Sequence, residues 1–137
     1  MSEAEELVRG LHRALLDSRD VATVDEFFAE DFVSYNQPPG LEPGAAGVKQ
    51  FFAMFRDAFP DAQVTIDELV AEEDRLAVAT TLTGTHEGEL LGIAPTGRRV
   101  SVTGIDLVRV RDGQIVEHRG LTDTVGLLRQ LGAAGET

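Results

Sequence analysis

Asp106 and His118 stand on either side of Asp112-Gly113, and they bring together a carboxylate and an imidazole, the two groups most used in general acid–base chemistry. Each lies in a run of alternating residues, Val100 to Val110 and Ile115 to Thr122, which is the period of a strand with one apolar side. If the runs pair as a hairpin, the register decides which residues face each other. A two-residue loop pairs Arg111 with Gln114 and sets Asp106 opposite Arg119. A three-residue loop pairs Val110 with Gln114, sets Asp106 opposite His118 and sets Gly104 opposite Gly120. The three-residue loop is the expectation, because it needs a positive φ only at Gly113, whereas the shorter loop demands one of Asp112 as well. In that register Val100, Val102, Gly104, Asp106, Val108 and Val110 share a face with Val116, His118, Gly120 and Thr122.

On such a face the carboxylate fixes the imidazole tautomer and favours its charged form, while burial opposes the charge. Asp106 and His118 are therefore the candidate catalytic residues, with a satisfied polar contact as the plainer alternative. The missing side chains of Gly104 and Gly120 leave space that a ligand or a bulge can use. Tyr35, His86, Gly104, Gly120, Thr122 and Asp123 are the candidates for substrate contact. His86 also reads as a solvated loop residue, Asp123 as a helix N-cap, and His12 as an inert residue on a polar helix flank. Three scattered histidines with no H-x-H or H-E-x-x-H spacing, and no cysteine, give no metal site. No P-loop, G-x-G-x-x-G or G-x-S-x-G occurs.

The elements that must position these residues are legible in 137 residues, one domain's worth with a real core. Ser2 and Glu5 form a capping box for a helix over about 3–17, with Leu7, Leu11 and Leu15 on its apolar stripe. Asp20 caps a short helix carrying Val21, Val24, Phe27 and Phe28, and Phe32, Val33 and Tyr35 suggest a brief strand. Pro38 and Pro39 break the chain. A helix over about 44–58 places Val48, Phe51, Phe52 and Phe55 as core, and Pro60 stops it. Strand patterns follow at Ala62 to Val70, Leu76 to Leu82, and the two runs above, and Asp123 caps a last helix ending at Gly132. Helices first and a meandering antiparallel sheet after them make an α+β fold with helices on one face of a sheet that curves over them.

The charge is −12, and residues 1–74 hold 17 acids against 5 bases. Such a surface repels phosphate backbones, so no nucleic-acid partner and no anionic membrane surface is expected. No apolar run reaches 18 residues and the first residues are acidic, so a cytoplasmic protein without a membrane partner is expected. Ile105, Leu107, Ile115 and Leu121 fall on the sheet's other face and need cover, which predicts a homodimer.

Ala58-Phe59-Pro60-Asp61, Gly84-Thr85-His86-Glu87-Gly88, Gly92 to Arg98, Arg111 to His118 and Leu128 to Gly132 together resemble the SnoaL-like polyketide cyclase family, over Leu7 to Gly132. The resemblance implies one domain over 1–137 with a nuclear-transport-factor-2-like fold, a cone of bent antiparallel sheet on helices with a pocket inside. It implies a small hydrophobic partner, no metal or organic cofactor, and ring closure by intramolecular aldol condensation in antibiotic biosynthesis. As the hairpin aligns, the family's catalytic aspartate falls at Gly120, its pocket histidine at Asp106 and a pocket glutamine at Gly104. Gly120 cannot be a base, so carboxylate and imidazole would work from other seats, Asp106 and His118. Cofactor-independent hydroxylation, epoxide opening and non-catalytic small-molecule binding stay open beside cyclisation or isomerisation.

Overall fold

The computed structural model describes residues 3–17, 25–35 and 40–132. Three helices, α1 (Glu3–Asp17), α2 (Ala45–Ala58) and α3 (Thr124–Gln130), accompany five strands, β1 (Phe28–Ser34), β2 (Gln63–Glu72), β3 (Arg75–Thr85), β4 (Arg99–Arg111) and β5 (Gln114–Thr122). Alternation and capping chose these elements. Phe59 closes α2 through its N–H to the Phe55 carbonyl, and Pro60, which has no N–H, prevents another turn. Asp123 caps α3 by accepting from the Gly126 N–H at 2.9 Å.

The strands make one curved sheet in the order β1-β5-β4-β3-β2. β2 to β5 form an antiparallel meander, but β1 lies parallel to β5 at the edge, so the sheet is mixed and not wholly antiparallel. That pairing joins residues far apart in the chain, and local periodicity carries no trace of it. Phe28, expected on a helix, opens β1 after a single 3₁₀ turn at 25–27; the rest of the expected short helix, with its cap Asp20, lies outside the described residues, as do Pro38 and Pro39.

The hairpin register differs from the expected one in an instructive way. Arg111 pairs with Gln114, so the turn has two residues, and Asp112 and Gly113 both take positive φ, 52° and 74°. Such a turn matches the right-handed twist of the strands, and Asp tolerates the left-handed region better than most residues. A β-bulge follows: Val110 pairs with Ile115 but Arg109 pairs with Glu117, leaving Val116 as the extra residue. Asp106 therefore lies opposite Gly120, Val108 opposite His118 and Gly104 opposite Thr122. The bulge shifts the pairing by one residue and so restores the parity that the short turn alone would have broken. Asp106 and His118 end on one face as diagonal neighbours, not as a direct pair. Ile115, expected on the outer face, is turned into the core by the same bulge.

One core cluster joins α1, β1 and the sheet through Val8, Phe28, Phe32, Leu76, Val78 and Ile115. A second joins α2, α3 and the loop after β3 through Phe55, Phe59, Leu90, Val100 and Leu127.

Candidate functional site

Between the helices and the inner face of the sheet is a cavity of about 510 Å³. Leu76, Val78, Thr80 and Leu82 alternate inward on β3, and Val102, Gly104, Asp106 and Val108 on β4; of these all but Leu76 line the cavity. α2 contributes Phe51, Phe52 and Phe55, which therefore form cavity wall as well as core, a departure from the expectation of core alone.

Asp106 and His118 meet on this wall. His118 Nε2 lies 2.7 Å from Asp106 Oδ1, the length of a charge-assisted hydrogen bond. With Nε2–H donated to the carboxylate, the other nitrogen, Nδ1, keeps its lone pair, and Ser34 Oγ on β1 stands 3.5 Å from it. Each of the two side chains is about a third exposed, so the pair is open to a ligand in the cavity.

Gly104, Gly120 and Thr122 line the same cavity. The other three candidates do not. Tyr35 is on the outer face, where its hydroxyl donates to Glu117 and its ring lies 4.5 Å beneath the Arg119 guanidinium. Asp123 caps α3 and, with Tyr35, lines a shallower concavity on the outer side of the sheet. His86 is neither at a cavity mouth nor solvated: it is 0% exposed. Its Nδ1 accepts the Thr96 N–H at 3.1 Å and pairs with Thr96 Oγ1 at 3.0 Å, while its backbone bonds Arg98 and Gly97. His86 thus fastens the 86–98 loop from inside.

Four polar cavity residues, His12, Ser34, Thr80 and Thr124, were not foreseen as site residues. His12 faces the cavity, with Nδ1 on the Val8 carbonyl at 2.9 Å, and its place one turn after Val8 was the signal. Ser34 shares strand parity with Phe28 and Phe32, and Thr80 shares it with Leu76 and Val78. Among the described residues no three His, Asp or Glu side chains gather as a metal site, and no helix is long and apolar enough to cross a membrane.

A helix-backed curved sheet enclosing a largely apolar hollow is the architecture of the nuclear-transport-factor-2-like proteins. The SnoaL-like polyketide cyclase profile matches residues 6–131, and the chain belongs to that family. It is 34% identical to nogalonic acid methyl ester cyclase of Streptomyces nogalater over 112 residues, 80% of this chain and 83% of the relative. It is 33% identical to the aklanonic acid methyl ester cyclase DnrD of Streptomyces peucetius over 129 residues, 89% of this chain and 88% of the relative. Among solved structures it resembles AclR, a candidate hydroxylase of Streptomyces galilaeus, with a TM-score of 0.86 at 31% identity, covering 100% of this chain and 85% of that one.

Proposed function

We propose that the protein is a cofactor-free enzyme that closes or isomerises a ring of a hydrophobic, polyketide-like molecule, with His118 and Asp106 as its proton-handling couple. The observation that carries this reading is the 2.7 Å contact of His118 Nε2 with Asp106 Oδ1 on the wall of an otherwise largely aliphatic and aromatic cavity. The similarity to two methyl ester cyclases supports the substrate class.

The steps follow from the chemistry of the couple. Asp106 holds the Nε2 proton, so Nδ1 is the basic atom. It removes a proton from a carbon next to a carbonyl, and the electrons of that C–H bond pass to the carbonyl oxygen as an enolate. The imidazolium that forms is stabilised by Asp106 beside it. The enolate carbon attacks a second carbonyl of the same molecule, forming the C–C bond, and the imidazolium returns its proton to the new alkoxide. The chain carries the cyclisation without an aspartate at position 120, where Gly120 stands.

Turnover of nogalonic or aklanonic acid methyl ester is the test. His118→Ala and Asp106→Asn are each expected to lower kcat by about 10²–10⁴-fold, the usual contribution of a positioned general base. Unchanged turnover in both variants discards these roles. The likeness to AclR supports a second reading, oxygen insertion in the same cavity. Oxygen uptake with a polycyclic substrate, without added flavin or metal, distinguishes it from cyclisation.

A further inference from the structure

The inner face of the sheet is aliphatic except for one polar patch, and that patch extends beyond the acid–base couple. Thr80 on β3, Gly104 on β4 and Thr122 on β5 lie side by side in one cross-strand row, and all three line the cavity. The next row holds Val78, Asp106 and Gly120. Gly104 leaves a gap between the two threonines. A Cβ at Gly104 would stand 3.6 Å from Thr80 Oγ1 and 3.7 Å from Thr122 Oγ1. Both hydroxyls thus border one small space. Among the described residues no side chain or carbonyl takes up either of them. The Leu121 carbonyl, 3.3 Å from the same point, belongs to the β4–β5 pairing of Ile105 with Leu121.

The geometry points to an oxygen-binding subsite over Gly104, in which the Thr80 and Thr122 hydroxyls donate to the carbonyl oxygen of the substrate and hold it as it becomes an enolate. This rests on the proton-transfer reading of the same cavity. Thr80 is half-buried and Thr122 exposed, and both hydroxyls are free to turn toward an oxygen on which negative charge develops. Rows of one face are about 6.6–6.8 Å apart along a strand. Asp106 stands in the adjoining row and His118 in the row beyond it, opposite Val108, with Nε2 turned back over Gly120 toward Asp106, so an oxygen over Gly104 lies on the couple's side of the cavity. The ligand class is a conjugated ketone or phenol with its oxygen at one edge of an apolar ring system.

The chain has no Trp, so naphthyl fluorescence reads binding without interference, and 2-naphthol against 2-methylnaphthalene compares a ring system with and without the oxygen. Wild type is expected to bind 2-naphthol about tenfold more tightly than 2-methylnaphthalene, the worth of one or two net hydrogen bonds. In the double variant Thr80→Val/Thr122→Val that ratio is expected to fall to about one, with the affinity for 2-methylnaphthalene held within about twofold. Gly104→Ala, which keeps both hydroxyls but fills the gap, is expected to abolish the ratio too, and it serves where the double variant fails to fold. In His118→Ala the ratio is expected to persist. A ratio retained in Thr80→Val/Thr122→Val or in Gly104→Ala overturns the subsite. A ratio lost in His118→Ala alone assigns the oxygen to the couple and overturns the subsite while leaving the proton-transfer reading standing. Failure of wild type to prefer 2-naphthol overturns the subsite, and the proton-transfer reading is then decided separately by turnover of His118→Ala and Asp106→Asn.

Discussion

Asp106 and Gly120 face each other across β4 and β5, and the carboxylate of the first occupies the space where a side chain of the second would be. A Cβ built on Gly120 falls closer than 3.0 Å to Asp106 Oδ1 and to Cε1 and Nε2 of His118. The hydrogen bond of the couple therefore runs over a residue that must have no side chain. An acid at position 120 and a closed Asp106–His118 pair exclude each other. The atoms that collide are the ends of side chains, not backbone, so Gly120→Ala should fold. Its stability is expected within about 1 kcal/mol of wild type, since alanine in a strand recovers about 0.5–1 kcal/mol of backbone entropy. Turnover is expected to fall by at least about tenfold as the couple is pushed apart. Loss of the hydrogen-bonded Nε2–H signal in the proton NMR spectrum, at unchanged Tm, checks it; a signal that persists shows that the couple tolerates the methyl group.

Gly88 calls for the opposite outcome. Its N–H and that of Glu87 both donate to the Ala58 carbonyl at the end of α2. A Cβ there would collide with the backbone of Asp57 and Ala58, which cannot rotate away. Gly88→Ala is expected to cost about 1–3 kcal/mol through overpacking. Thermal unfolding reads it directly, and an unchanged Tm shows that the loop shifts freely on the helix.

The three helices and the five strands were legible in kind because their periods are local, although β1 starts at Phe28, ahead of the brief strand that Phe32, Val33 and Tyr35 suggest. Val8 and Leu11 on one helical stripe, or Val100 to Val108 alternating along β4, announce themselves within a few residues. The parallel seat of β1 beside β5 was not legible, because nothing local in Phe28 to Ser34 states its partner. The hairpin was legible in parity and not in register. Counting positive-φ residues favoured the longer loop, but strand twist favoured the two-residue turn, and the Val116 bulge then returned His118 to the face of Asp106. His86 was misplaced because a glycine-rich flank suggests solvent, whereas the 86–98 loop folds back over the ring through Thr96.

Asp61 links stability to pH. Its carboxylate accepts from the Thr85 N–H at 2.7 Å and from Thr85 Oγ1 at 2.8 Å, with the Arg99 guanidinium 3.5 Å away. The Thr85 hydrogen bonds, and to a smaller degree Arg99, hold its pKa below the ordinary 3.8. The folded chain then releases this proton more readily than the unfolded one. The stabilisation is complete above the unfolded value and fades as pH falls through the lower folded value. Asp61→Asn is expected to lower Tm near neutral pH, and the gap from wild type is expected to narrow below about pH 4. Melting curves of both proteins across that range check the sign; a gap that widens on acidification reverses the assignment.

The outer face of the sheet presents Ile105, Leu107 and Leu121 side by side, and Leu121 is 75% exposed. Scattered exposed apolar residues are ordinary, but adjacent ones on one face of a sheet ask for cover. Arg119 and Tyr35 flank them, an aromatic and a guanidinium of the kind enriched at protein interfaces. We propose that a second copy covers this face. An isologous dimer would bring each Leu121 near the two-fold-related patch, so one substitution acts twice. Leu121→Glu is expected to shift the mass measured by light scattering at micromolar concentration from dimer to monomer. A wild-type chain that is monomeric under those conditions removes the proposal, and a Leu121→Glu dimer moves the interface to another surface.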